Sequence, residues 1–174
     1  MNLEPIVFQT YGDFARHLES VGELHRVKVE VDSYLEITEI ATRAIKEKRP
    51  ALLFENVKGS KYPLVINAMA SERRCELALN KHPEHLGEEL IAFMMDAMPP
   101  KMSLLSKHRP ILKRFLKTPT KNISSAIVQQ VVEKPNLDEL PILTCWPEDG
   151  GRFITLPQVV TYDPRTGKRN IGMY

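Results

Sequence analysis

Apolar positions along the first hundred residues switch repeatedly between helical and strand spacing. Phe14, Leu18 and Val21 recur on one helical face, and Thr10 with Asp13 three positions on forms a capping-box pattern. A short helix is predicted there, ended by Gly22. Val27, Val29 and Val31 then alternate with Arg26, Lys28, Glu30 and Asp32, which predicts a strand with one wet face. After Ser33 the spacing becomes helical again through Leu35, Ile37, Ile40, Ala41, Ala44 and Ile45, with charges opposite and Pro50 closing the run.

Ala51 to Phe54 and Leu64 to Met69 read as short buried strands joined by the turn formers Lys58 to Pro63. Two more helices are predicted, over Glu72 to Leu79 and from Pro83 to about Ala97, before Pro99 and Pro100 break the pattern. Strands alternating with helices predict an α/β layer domain.

From Lys101 to Lys121 the chain has seven Lys or Arg residues and no acid. Leu104, Leu105, His108, Ile111, Leu112, Phe115 and Leu116 recur at helical spacing, which predicts a basic amphipathic helix with a kink at Pro110. The favoured reading is a connecting helix with solvated lysines. The alternative is a non-catalytic module that docks an anionic partner through this helix.

Beyond Thr118 the composition changes. Six of the 13 prolines and four of the 8 glycines fall in the last 56 residues, and the apolar runs become β-branched over Ile123 to Val132, Phe153 to Thr161 and Asn170 to Tyr174. Tyr162 to Gly167 is rich in turn formers, so the last two runs predict a hairpin that opens an antiparallel β domain. The expected division is an α/β domain over 1–117 and the beginning of a β domain over 118–174. Ending in mid-strand, the chain is read as the N-terminal part of a longer protein.

A net charge of +2 gives no polyanionic footprint, so no nucleic-acid partner is expected. No apolar run reaches the ~20 residues that span a bilayer, so membrane association is at most peripheral. No basic region leads into an apolar one at the N-terminus, and no secretory leader is expected. Cys75 and Cys145 lie 70 positions apart and fit neither a disulfide framework nor a zinc spacing. Two reduced thiols in a cytoplasmic protein is the reading taken.

Residue chemistry alone assembles no complete active site. His82 and His85 share a helical face and could hold a transition metal, but Pro83 marks a helix start and no third ligand is near, so exposed cap residues are expected. Met94, Met95, Met98 and Met102 are read as adaptable core filler. Glu23, Glu36, Glu39 and Glu55 have no spacing that pairs them for acid–base work, and neither kind of glycine-rich phosphate loop is present.

Four segments take the reading further. They are Tyr34-Leu35-Glu36-Ile37-Thr38-Glu39-Ile40; Pro50-Ala51-Leu52-Leu53-Phe54-Glu55-Asn56-Val57-Lys58-Gly59; the run Leu140 to Thr155 containing Cys145-Trp146-Pro147-Glu148-Asp149-Gly150-Gly151; and Asp163 to Tyr174 containing Arg169-Asn170-Ile171-Gly172-Met173-Tyr174. Together and in this order, the four segments resemble the UbiD family of decarboxylases, which use prenylated flavin mononucleotide. The third and fourth together are specific.

The resemblance implies an α+β architecture: an N-terminal α/β layer domain, then the opening of a split β-barrel that carries the flavin. It places the family's metal-binding asparagine on Asn170 and flavin contacts on Met173 and Tyr174. A neutral amide oxygen suits Mn²⁺ beside a phosphate, because it coordinates without adding negative charge. A potassium ion is implied alongside. The family's catalytic arginine and glutamates, and its other metal ligands, have no counterpart within these residues. The implied parent is a non-oxidative carboxy-lyase acting on an aromatic acid such as 3-polyprenyl-4-hydroxybenzoate in quinone biosynthesis, and these residues alone are expected to be inactive. Loss of CO₂ from an sp² carbon leaves charge that no side chain can delocalise, so a cofactor must supply the electron sink. A flavin prenyltransferase as cofactor supplier and a homo-oligomeric assembly are implied with it.

Overall fold

The computed structural model describes residues 6–98, 108–116, 119 and 121–173. Thr10 and Asp13 make the capping box: the Thr10 hydroxyl accepts from the Asp13 amide at 3.1 Å, and Asp13 Oδ2 accepts from the Thr10 amide at 2.9 Å. Helix α1 (Tyr11–Ser20) follows and buries Phe14, Ala15 and Leu18. It stops one residue before Val21, which is exposed and not on the inner face that the spacing predicted. Gly22 turns the chain at φ 78.

Strand β1 (Leu24–Val31) runs parallel to β2 (Ala51–Val57), with helix α2 (Glu36–Lys46) as the crossover that parallel strands require. Strand β3 (Leu64–Ile66) is antiparallel to β2, giving the order β1-β2-β3. The predicted alternation in β1 fails at Val29, which is 68% exposed. The pairing slips between Val27 and Glu30, and this β-bulge turns Val29 outward. The Asn56 carboxamide donates to the Lys28 carbonyl at 2.6 Å at the same place. Arg26 fixes the wet face, reaching Glu55 Oε1 at 2.6 Å and also pairing with Glu19.

The core of this unit comprises Val31, Ile37, Ala44, Leu52, Phe54, Val57 and Leu143. Leu143 comes from far along the chain and is only 4% exposed. Its segment is tied down on both sides. Ser60 Oγ donates to the Glu139 carbonyl at 2.7 Å, and Lys61 pairs with Glu139 Oε2 at 3.1 Å. Residues Glu19–Ala68 and those from Asn136 onward form one compact unit, while the residues through Leu18 and Met69–Pro135 form the other.

In that other unit, helix α3 (Glu72–Leu79) is capped by Ser71, whose hydroxyl accepts from the Arg74 amide at 3.2 Å. Asn80 ends it in the left-handed conformation, and its carboxamide holds the Ile6 backbone, accepting from the Ile6 amide at 2.9 Å and donating to the Ile6 carbonyl at 2.7 Å. Helix α4 (Pro83–Asp96) has no buried residue. Phe93 packs on His108 and Phe115 of the segment that forms helix α5 (Arg109–Phe115), and His108 Nε2 meets Asp96 Oδ2 at 2.8 Å. Met94 and Met95 of α4 and Met98 just beyond it are exposed, not core filler, since no described element covers them; Met102 lies outside the described residues.

The predicted basic helix is described only over α5 and its flanks, since residues 101–107 lie outside the described residues. Pro110 sits in the first turn of α5, where its missing N–H would have no intrahelical partner; the expected kink involves residues 101–107, which lie outside the described residues. The β-branched run Ile123 to Val132 forms no strand. Ile127–Gln129 make a single 3₁₀ turn, and Ile127, Val128, Val131 and Val132 are all exposed. No strand among the described residues pairs with this run, so propensity has nothing to pack against. No helix among the described residues is long and apolar enough to cross a membrane.

Leu143→Ala is expected to destabilise the β1-β2-β3 unit by about 2–5 kcal/mol, the usual range for emptying a buried leucine site. Urea denaturation followed by circular dichroism checks this. A change within about 0.5 kcal/mol would remove Leu143 from the core.

Candidate functional site

The segment that brings Leu143 into the core then forms two features. The first is a cavity loop. Phe153 N donates to the Leu143 carbonyl at 2.7 Å and closes a loop from Thr144 to Arg152. The Asp149 carboxylate sets its shape, with Oδ2 accepting from the Cys145 amide at 3.1 Å and from the Trp146 amide at 2.9 Å. Asp149 N in turn donates to the Trp146 carbonyl at 3.1 Å. Cys145, Trp146, Asp149, Arg152, Phe153 and Thr155 line a cavity of about 640 Å³. Trp146 is 60% exposed on its wall. The Arg152 guanidinium pairs with Asp138, and the Cys145 thiol is free. These lining residues were not singled out from residue chemistry. The usable signal was Gly150-Gly151 between two apolar runs, which marks a loop closing on itself.

The second feature is a hairpin. Strand β4 (Val159–Tyr162) pairs antiparallel with β5 (Arg169–Gly172), with Thr161 opposite Asn170 and Val159 opposite Gly172. Asp163 builds the turn: its Oδ1 accepts from the Arg165 and Thr166 amides at 2.7 and 2.8 Å, while Gly167 takes φ 66. The two amides, Thr166 first, hold the Asp163 carboxyl below the usual carboxylate range.

Strand alternation places Asn170, Gly172, Thr161 and Val159 on one face of the hairpin. Gly172 contributes no side chain there, so the Asn170 carboxamide has open space beside it. Asn170 is exposed, and its side chain makes no hydrogen bond to another described residue. Met173 follows the strand and is exposed; Tyr174 lies outside the described residues. Asn170 thus offers a free oxygen ligand. Among the described residues no group of three His, Cys, Asp or Glu side chains could hold a metal. One amide oxygen fits an oxygen-loving divalent ion but does not complete a shell of about six.

The two histidines serve other ends. His82 Nε2 lies 2.5 Å from Glu72 Oε1, and His85 Nδ1 lies 3.3 Å from Glu88 Oε2. His82 is the N-cap of α4 as expected, but it is partly buried, because its ring reaches back to the first turn of α3.

Residues 15–94 match the 3-octaprenyl-4-hydroxybenzoate carboxy-lyase N-terminal domain, and residues 120–174 match the Rift-related domain of the same family. The chain belongs to the UbiD family. An uncharacterized protein of Archaeoglobus fulgidus is 42% identical over 170 residues, covering 97% of this chain and 35% of that protein. The UbiD-class enzyme HmfF from Pelotomaculum thermopropionicum, in complex with FMN, aligns at 26% identity and a TM-score of 0.68 over 93% of this chain and 33% of its own. An evolved dimeric form of that enzyme in complex with prFMN aligns at 25% identity and a TM-score of 0.63, over 93% of this chain and 34% of its own. Vanillic acid decarboxylase of Sedimentibacter hydroxybenzoicus, in open form with truncated ShVdcD, gives 27% and 0.67 over 97% of this chain and 35% of its own. This UbiD-family chain spans about a third of the length of such relatives, 35% and 34% for the first two curated ones. The helices and small sheets described above are the α+β architecture that the family resemblance implied.

The depressed Asp163 carboxyl makes the hairpin turn acid-sensitive. Its folded pKa lies below the unfolded value of about 3.9, so the turn's contribution is present above that value and lost as pH falls through the folded pKa. Amide NMR signals of Arg165 and Thr166 are expected to hold steady from pH 7 to about 4 and to move only below it. A midpoint at or above pH 4 would mean that the two amides do not stabilise the carboxylate.

Proposed function

We propose that this UbiD-family chain supplies the flavin-edge strand of a prenylated-FMN-dependent carboxy-lyase. The supporting observation is the placement of Asn170. It stands with a free carboxamide on the open face of β5, two residues from Gly172, inside the segment that matches the Rift-related domain.

In this reading Asn170 would offer one amide oxygen to a divalent ion such as Mn²⁺, which together with K⁺ would hold the cofactor phosphate. The flavin contacts would fall on Met173, directly after β5, and on Tyr174, where Gly172 leaves room for close backbone approach. The cofactor, when bound, supplies the electron sink that decarboxylation at an sp² carbon requires. The chain's own part is to hold and orient: the hairpin ladder fixes Asn170 relative to Met173, and Asp163 fixes the ladder's register through its turn. The remaining ligands and the proton-transfer groups belong to the rest of the parent, so the catalytic residues lie outside these 174. The domain division proposed is 1–117 and 118–174, the second being the opening of a split β-barrel.

The substrate class is an aromatic carboxylic acid of the 3-polyprenyl-4-hydroxybenzoate kind in quinone biosynthesis, in line with the family description. Dependence on a flavin prenyltransferase, a cytoplasmic site of action and homo-oligomeric assembly belong to the same proposal. The dimeric HmfF form supports the last.

Asn170→Ala in the full-length parent is expected to lower retained flavin and Mn²⁺ at least several-fold, read by absorbance and metal analysis after desalting. The 174-residue chain alone is expected to retain neither. Full retention of both by the Asn170→Ala parent, or stoichiometric flavin on the short chain, would overturn the reading.

A further inference from the structure

Between β1 and α2 the chain turns within four residues, and Leu35 adopts φ 63 and ψ −38 there. The Glu36 amide donates to the Tyr34 carbonyl at 2.7 Å across it, which makes a γ-turn of the uncommon positive-φ kind. A leucine is costly in this region, because its Cβ meets the backbone in a way that glycine avoids. Such a conformation persists only where the surroundings over-determine it.

The surroundings are the cavity segment. Leu35 N donates to the Thr144 carbonyl at 3.0 Å, and Thr144 N donates to the Ser33 carbonyl at 3.1 Å, so Thr144 pairs with the turn as a short parallel bridge around Tyr34. Helix α2 has no side-chain cap, and the Thr144 carbonyl satisfies the amide of its N-cap residue instead. Asp32 braces the turn from below: its Oδ1 accepts from the Tyr34 amide at 2.9 Å, and Glu36 Oε2 accepts from the Asp32 amide at 2.6 Å. On the far side, Leu143 holds Phe153 through its carbonyl. The cavity loop therefore begins and ends on residues fixed to the first sheet.

We infer that the Leu35 γ-turn and the Thr144 backbone form a strained clasp that positions the cavity loop from Cys145 to Phe153. Leu35 and Thr144 are positioning residues for that cavity and act through its loop. The strain is stored in the turn and released when Thr144 detaches. The clasp does not depend on the carboxy-lyase reading, and either can fail without the other.

The test uses the 174-residue chain, whose single tryptophan, Trp146, reports on the loop. Leu35→Gly and Leu35→Ala both remove the isobutyl group, but only glycine relieves the positive φ. Leu35→Gly is expected to melt above Leu35→Ala by about 2–4 °C, whereas at an ordinary helical position alanine is the more stable. Thr144→Pro deletes the amide that donates to Ser33. It is expected to raise acrylamide quenching of Trp146 and to speed amide exchange of Leu35 at least ten-fold. Thr144→Ala keeps both backbone bonds and is expected to change neither. Asp149→Ala frees the loop beyond the clasp, so it should raise Trp146 quenching while leaving Leu35 exchange slow. Leu35→Ala melting at or above Leu35→Gly would remove the strain. Unchanged Trp146 quenching in a folded Thr144→Pro chain would remove the positioning role. Should Thr144→Pro not fold, the Leu35 pair and Asp149→Ala decide the matter.

Discussion

Burial of Leu143 is the constraint on which the rest of the β1-β2-β3 unit depends. Three strands and one helix enclose little apolar volume, and a small core gains stability roughly in proportion to the area it removes from water. Val31, Ile37, Ala44, Leu52, Phe54 and Val57 form the local part of that core, and Leu143 completes it from a distant segment. Everything that returns with Leu143 is then fixed by its attachment. Glu139 is tied to Ser60, Thr144 to the turn before α2, and Phe153 to Leu143 itself. The long loop closure this needs raises the entropic cost only slowly with length, so one well-buried leucine and a few backbone bonds suffice.

The hairpin is built on the opposite principle. β4 is exposed along its whole length, and only Gly172 of β5 is partly covered. Its ladder, the Asp163 turn and Gly167 define its register without help from a core. A lone two-stranded ribbon is marginal in water, because the backbone bonds it makes replace bonds to solvent and little apolar area is hidden. That same openness leaves the Asn170 carboxamide free, with no donor among the described residues bonded to it. A ligand side chain already bonded within the ribbon would have to break that bond before meeting a metal.

Local chemistry was legible in the sequence and tertiary chemistry was not. The Thr10–Asp13 box, α2, α3 and the Asp163 turn all follow from spacing and capping within a few residues, which is the range over which such signals act. Val29 read as an inward strand residue because alternation carries no sign of a bulge. The α4 methionines read as core because apolar spacing cannot say whether a partner helix will cover them. Ile123 to Val132 had strand propensity but found no ladder. Leu143 and the positive φ at Leu35 were invisible, since each depends on a residue more than a hundred positions away. For the site, Asn170, Met173 and Tyr174 came from the family motif. The cavity walls at Trp146 and Phe153 came only with the fold.

Cavity loop and hairpin are also close neighbours in sequence. Thr155 lines the cavity and Val159 opens β4, with Leu156 at φ 56 and Pro157 between them. Four residue steps span at most about 14 Å even when extended, and here a positive φ and a proline restrict two of the positions in between. A short connection of this kind limits how far the loop and the first residues of β4 can move apart. Thr161 lies two residues further on and faces Asn170 across the ladder. Asn170 is thus linked along the chain to the cavity loop, while its own place is set by the β4-β5 ladder opposite Thr161.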